Sequence, residues 1–300
     1  MLEKKSKLKD SFTDKIFYSF NALFLFLAFV VTIMPILNVV SQSLSSPGDV
    51  IAGRVFLLPV NFTLDAYAQV FSSKMLLMGY SNSIIYTVVG TFINIVMTVM
   101  AAYPLSRKDF VGRNMLMGLF VFTMIFSAPL IPTYLNIRNL KMLDTIWAMV
   151  IPGAISVYNM IIARTFFQSS IPEEMIEAAE LDGASDLHVL LRLVLPLSKS
   201  ILAVLVLFYA VGHWNAFFDG FIYLKSESKL PLQVVLRNIL SSAAAIEQMA
   251  NATAEQNMRL AVVEVMKYAI IVFGSLPVIC LYPFVQKHFV KGVMIGSLKG

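Results

Sequence analysis

Apolar residues fill this chain in long blocks, and polar residues collect between the blocks. Six blocks stand out: about Ile16 to Val40, Leu76 to Tyr103, Met115 to Tyr134, Ile146 to Phe167, Ile201 to Leu224 and Leu260 to Val285. Each runs for roughly 18 residues or more, enough for a helix to cross about 30 Å of hydrocarbon. In lipid a backbone must satisfy its own N–H and C=O groups, so the pattern predicts an all-α membrane protein with six transmembrane helices. Pro35, Pro129, Pro132, Pro152, Pro277 and Pro283 fall inside blocks. They predict kinked helices around a pathway, with neighbouring groups taking up the freed carbonyls.

Three intervening segments carry a pattern of their own. In residues 41–74, Leu64, Tyr67, Ala68 and Phe71 recur at helical spacing and predict a short interfacial helix capped near Thr63. Residues 225–258 begin "KSESKLPLQVVLRNIL" and turn polar and alanine-rich, as a surface loop with helical pieces would. The third segment, residues 169–198, is acidic and amphipathic. Pro172 suits a first turn, with Ser169 and Ser170 as caps ahead of it. Glu173, Glu177 and Glu180 then form one stripe, with Met175, Ile176, Ala178 and Ala179 opposite. Gly183 supplies a tight, left-handed turn. A second short helix follows from about Ser185 to Leu195, apolar except for His188 and Arg192, and is expected to stop at Pro196.

Composition agrees with a membrane protein: 58% of residues are hydrophobic and 14% charged, with a net charge of +5. Most lysines and arginines fall on one side of the predicted topology, among them Lys4, Lys5, Lys7, Lys9, Lys15, Arg107, Lys108, Arg113, Lys287 and Lys291. By the positive-inside rule both termini are cytoplasmic. This gives an N-terminal tail of residues 1–15, a six-span domain over 16–286 and a C-terminal tail of 287–300. Segment 169–198 is then cytoplasmic, between spans four and five, and segments 41–74 and 225–258 are outside. The first block is too long for a signal peptide and no small-residue cleavage site follows, so it reads as an uncleaved span of a cell-membrane protein.

Candidate catalytic chemistry is sparse. His188, His213 and His288 are scattered, and no H-E-x-x-H pair offers a metal site. Gly48 to Gly53 lacks the lysine and hydroxyl of a phosphate-binding loop. Cys280, the single cysteine, reads as a small packing residue of the sixth span. Glu264 and Lys267 stand three residues apart and pair on one helix face. No catalytic or metal residue is therefore assigned. The spans carry neither a carboxylate chain for proton coupling nor a "TVGYG" filter. A self-contained secondary transporter or channel for a small polar solute is the alternative to a subunit driven from outside the chain.

The spacing within "EAAELDGASDLHVLLRLVLP" favours the driven subunit. It resembles the EAA loop of ABC importer permeases: Glu177, Ala178 and Ala179, then Gly183, then Leu193, Leu195 and Pro196 in register, with Leu193 where isoleucine is usual. "GHWNAFFDGFIYL", "LPLQVVLRNIL" and the ending "QKHFVKGVMIGSLKG" look like the carbohydrate-uptake, maltose-type branch, similar to the second permease of oligosaccharide and polysaccharide-fragment importers. The resemblance implies that Glu177, Ala178, Ala179, Asp182, Gly183, Leu193, Leu195 and Pro196 couple to a cytoplasmic ABC ATPase dimer. ATP and magnesium would be bound there and not by this chain. It implies a second, distinct permease subunit, an extracellular or periplasmic sugar-binding protein, membrane lipid as surroundings and no nucleic acid. Tyr158, Asn159, His213, Trp214, Asn215 and Asp219 are candidates for the sugar pathway. Pro231, Leu232, Gln233 and Arg237 are candidates for binding-protein contact. Ala179 and Gly183 are expected to tolerate no bulk, because the ATPase seats against them.

Overall fold

The computed structural model describes residues 11–247, 263–281 and 283, and among these every regular element is helical. Most of the predicted N-terminal tail, residues 248–258 of the second outer segment, the last residues of the sixth block and the tail 287–300 lie outside the described residues. In chain order the helices are α1 (Phe12–Ser43), α2 (Pro47–Ile51), α3 (Asp65–Ser72), α4 (Lys74–Ser106), α5 (Arg113–Ile125), α6 (Leu130–Asn139) and α7 (Trp147–Val150). There follow α8 (Val157–Ser170), α9 (Glu173–Leu181), α10 (Asp186–Leu197), α11 (Lys199–Trp214), α12 (Phe217–Tyr223), α13 (Leu232–Glu247) and α14 (Val263–Leu281).

Among the described residues α1, α4 and α14 are long and apolar enough to cross a membrane singly. The pairs α5–α6, bent by 113°, and α10–α11, bent by 84°, raise the number to five if each counts as one span. The boundaries of three predicted blocks are thereby corrected. The third breaks ahead of Pro129, which stands at the N-cap of α6. The fourth divides around Pro152 into α7 and the 14-residue α8, about 21 Å of helix. Both breaks follow from proline, which donates no hydrogen bond and disfavours helix in the residue before it. The fifth ends at Trp214, where the Asn215 amide donates to Val211 O at 2.9 Å and closes the last turn. Apolar composition runs through all three interruptions, so a count of greasy residues does not reveal them.

The chain divides into two compact units, one of residues up to Val70 with Ser242–Phe273, the other of Phe71–Ser241 with the residues from Gly274. In the first, α1 starts at a cap where Asp14 accepts the Ser11 N–H at 2.9 Å, inside the predicted tail. The central apolar stretch of α1 buries nothing. Its far end is knotted to the following loop: Asn38 donates to Phe56 O and Ser41 to Leu57 O, each at 2.7 Å. Asp49 accepts from Ser46 and Asn61, also at 2.7 Å. The predicted interfacial helix is present as α3, with Thr63 Oγ1 accepting the Asp65 N–H at 3.1 Å. It buries Ala66 and Val70, while Leu64, Ala68 and Phe71 stay exposed. Spacing thus located the helix but not its inward face. Glu264 and Lys267 pair as their spacing predicts.

In the second unit α4 is the post against which α11 and α8 pack most extensively. Their core joins Ala102 and Tyr103 of α4, Met160, Ala163 and Phe167 of α8, Val189 and Val194 of α10, and Leu205 of α11. Two polar rungs cross this packing. Tyr209 OH meets Thr98 Oγ1 and His213 Nε2 meets Asn94 Oδ1, both at 2.6 Å. His213 lies over Gly90, where an added Cβ would strike the imidazole. The rungs also tie down the opening before α8: Asn94 donates to Gly153 O at 2.6 Å, and the Ser156 N–H donates to Tyr209 OH at 3.3 Å. Backbone freed by the break is therefore satisfied from α4 and α11, as a low-dielectric setting requires.

Candidate functional site

α9 starts at Pro172, which itself occupies the N-cap, ahead of two acidic residues in the first turn. Ser169 and Ser170 belong to the end of α8 instead. α9 ends in a Schellman arrangement: the Gly183 N–H bonds Glu180 O at 2.9 Å and the Ala184 N–H bonds Ala179 O at 3.0 Å. Gly183 has φ +82°, the left-handed geometry predicted for it.

The two faces of α9 do not divide as the sequence suggests. Ile176 and Ala179 rest on the core of the second unit, joined by Ala184. Ala178 and Met175 are exposed, and Leu181 is 89% exposed. Successive residues advance about 100°, so Ala178 and Ala179 cannot share one centre line. Ala179 seats the helix on its own domain, and Ala178 with Leu181 forms the outward ridge. The acidic stripe splits too. Glu180 pairs with Arg107 and Glu173 with Lys108, both from the loop after α4, while Glu177 remains exposed. Asp109 first, then Glu180, hold the Arg107 guanidinium above its ordinary pKa, and Glu173 raises Lys108.

Sequence reasoning counted Arg107 and Lys108 only as topological charge. The signal available was an Arg-Lys pair ending one span and an acidic helix on the same side. It likewise missed how α4 ends. Arg164 donates to Leu105 O at 2.8 Å, Gln168 to Ser106 O at 3.2 Å and Arg113 to Arg107 O at 3.0 Å. Three carbonyls that a helix terminus leaves orphaned are thereby satisfied. Between this terminus, the end of α8 and α9 lies an open cavity of about 710 Å³, lined by Arg107, Lys108, Arg113, Gln168, Glu173 and Glu177 among others.

α10 departs from expectation at its end. Ser185 caps it, accepting the His188 N–H at 3.4 Å, but Pro196 does not stop it. Leu190–Val194 forms a π-turn, with the Leu195 N–H bonded to Leu190 O. The wider turn carries the helix through Pro196 to Leu197, relieving the clash that a proline ring makes with the carbonyl four residues back in α geometry. The change of direction falls at buried Ser198, not at Pro196. Leu193 and Leu195 lean on the core, Pro196 and Asp182 are exposed, and so are Leu187 and Leu191 on α10.

The six pathway candidates lie in different surroundings. Asn159 is buried at the start of α8, its N–H bonded to Ser156 Oγ, and Tyr158 is exposed beside it. His213 belongs to the polar rungs. Trp214 is buried, donates to Gly274 O at 2.9 Å and sets its edge against Tyr80. It borders an apolar groove of about 510 Å³ with Val88, Phe92, Val206 and Pro277. Asn215 spends its amide on Val211 O, and Asp219 is exposed on α12. Trp214 is therefore a packing residue whose indole N–H is occupied. Cys280, expected to pack, is exposed.

The four binding-protein candidates separate as well. Pro231 and Leu232 are buried, because α13 docks by its first turn. Leu232 N–H bonds Ser83 Oγ at 2.9 Å, and Asn82 donates to Ser228 O and Leu230 O at 2.8 and 3.1 Å. Tyr86 OH donates to Lys229 O at 2.7 Å. Asp144 locks the same segment from the α6–α7 loop. Its carboxylate accepts from Lys225 N, Ser226 N, Ser226 Oγ and Lys229 Nζ at 3.0, 2.9, 2.6 and 3.0 Å. Those bonds, Ser226 foremost, hold its pKa well below the usual carboxylate range. Gln233 is half-buried and Arg237 exposed. The Arg237 guanidinium lies 4.3 Å from the Phe221 ring centroid and 5.4 Å from that of Phe217.

Residues 76–295 match the family described as binding-protein-dependent transport system inner membrane component. The chain is 43% identical over 291 residues to Protein LplC of Bacillus subtilis (strain 168), covering 95% of this chain and 96% of that one. It is 36% identical to the polygalacturonan/rhamnogalacturonan transport system permease protein YtcP of the same organism, covering 98% and 100%. Among solved structures, a chain of a bacterial ABC transporter involved in the import of the acidic polysaccharide alginate superposes with a TM-score of 0.85 at 36% identity, covering 94% of this chain and all of that one.

Proposed function

The chain belongs to the family of binding-protein-dependent transport system inner membrane components, and on that premise we propose that it is a permease subunit of an ATP-driven importer for oligosaccharides. Carbohydrate as cargo is supported by relatives named for polygalacturonan, rhamnogalacturonan and alginate transport. The observation that carries the mechanism is the outward ridge of Ala178 and Leu181 on a helix whose other face is seated on the transmembrane core. A cytoplasmic ATPase dimer, holding ATP and magnesium, grips that ridge together with Leu187 and Leu191. Displacement of α9 reaches α4 and α11 through Ile176, Ala179 and the shared core.

In this reading both termini are cytoplasmic. The six spans are α1, α4, the broken α5–α6, α8 with its preceding break, α11 and α14. A second permease subunit covers the apolar wall of α1. A sugar-binding protein docks outside, where Gln233 and Arg237 remain available while Pro231 and Leu232 do not. Glu177 and Asp182 keep the orienting role suggested for the acidic stripe, since charge at a rim favours orientation and specificity. Glu173 and Glu180 are committed inside the chain.

The test is affinity capture of the tagged chain from membranes, followed by reconstitution of the captured complex in liposomes with the binding protein. An ATPase and a second permease should co-purify, and oligosaccharide uptake should require ATP. Uptake by this chain alone without ATP would instead indicate a self-contained carrier.

A further inference from the structure

The outer end of the second unit holds two cations in opposite situations. Lys229 is consumed: its ammonium contacts both the Asp144 carboxylate and Asp144 O, at 3.0 and 2.6 Å. Arg237 has no carboxylate partner among the described residues. It is instead held over Phe221 and Phe217, whose rings are stacked 5.7 Å apart at 19°. Its support is firm, because α12 and α13 approach closely at Gly220, where a Cβ would meet Pro231 Cγ at 2.6 Å and Val234 at 3.1 Å. Leu232, Val234 and Val235, the buried side of the helix that carries Arg237, are 2% exposed or less.

With its guanidinium carbon over the Phe221 ring, Arg237 is held by cation–π attraction, and its N–H donors have no hydrogen-bond partner among the described residues. Those donors form a fork that matches a carboxylate in two parallel bonds. We infer that Arg237, braced on Phe217 and Phe221, is the element that reads the carboxylate of an acidic oligosaccharide as it passes the outer mouth of this subunit. The inference rests on the oligosaccharide reading above and narrows the cargo to uronate-containing chains. Asp219, the ionisable group on α12, does not pair with Arg237, and Glu227 on the preceding turn forms no ion pair with it.

The test uses the complete importer with its binding protein, reconstituted in liposomes, and compares ATP-driven uptake of trigalacturonate with that of its fully methyl-esterified form. The ester keeps the backbone of the sugar and removes its charge. Wild type should prefer the acid. Arg237→Gln should lower the acid-to-ester ratio by about tenfold or more, the usual effect of losing a charge-assisted bond. Arg237→Lys, which keeps the charge and loses the fork, should fall between the two. Because the binding protein is the same in every arm, a change in the ratio belongs to the permease. An unchanged ratio, or an equal loss of both rates, overturns this role for Arg237 while leaving the transport reading intact. A wild-type complex that moves neither sugar with ATP overturns both.

Discussion

The helix α4 is held at both ends, and the two attachments differ in kind. Near its C-terminus, α9 is fastened by Arg107–Glu180 and Lys108–Glu173, in which three of the four side chains are between 41% and 72% exposed. In its N-terminal half, Asn82, Ser83 and Tyr86 hold backbone atoms of residues 228–232, and Asp144 locks the same segment from another loop. Solvated ion pairs are worth little and weaken with salt, whereas hydrogen bonds to backbone satisfy groups that would otherwise be left bare. The ion pairs that fasten α9 are the weaker of these two attachments. On the function proposed above, this suits a subunit that is moved through α9 and keeps its other end in shape.

The comparison can be broken most decisively at Asp144. Asp144→Ala should destabilise the purified chain by about 2–3 kcal/mol, through loss of bonds to a charged acceptor, seen as a lower thermal midpoint in detergent. A midpoint left in place would mean that the outer attachment is as loose as the inner. The sign with pH follows from the depressed pKa of Asp144. Its contribution is complete above the unfolded value of about 3.9 and fades as pH falls below that toward the lower folded value. Asp144→Asn should flatten this acid limb.

A smaller effect belongs to Gly183. Gly183→Val forces a β-branched residue to φ +82° and should cost about 1–3 kcal/mol, confined to α9 and α10 and measurable as faster hydrogen exchange there. Leu181→Asp should weaken capture of the ATPase about tenfold, on the order of 1.4 kcal/mol, without moving the thermal midpoint. Smallest is Glu173→Gln combined with Glu180→Gln. Each lost pair should cost under about 1 kcal/mol, less at high salt. A loss as large as that from Asp144→Ala would erase the distinction between the two ends.

Much of this was legible in the sequence. The apolar blocks gave α1, α4 and α14 to within a few residues, because long helices in lipid need only sustained greasiness. Gly183 announced its left-handed turn, since few residues tolerate one. The breaks at Pro129 and Pro152 were visible as prolines but not as changes of direction, which depend on what receives the freed backbone: Gly153 O waits for Asn94, 59 residues earlier. The partition of Ala178 from Ala179 was hidden for a related reason. A helix with two apolar margins does not say which of them its own domain takes, and the answer lay in Arg107 and Lys108, far off in sequence. Leu232 was a candidate because it lies in the second polar segment, and its burial depends on Ser83, far off in sequence, which accepts its N–H.

The π-turn at Leu190–Val194 has a consequence for the direction in which force is delivered. One surplus residue within a helix rotates everything beyond it by about 100°. The azimuth of the α9 ridge relative to α11 is therefore set by a single residue of slack, held ahead of Pro196. Removing one residue from that turn would bring back the clash at Pro196 and aim the ridge at a different quadrant, like a crank refitted one spline out on its shaft.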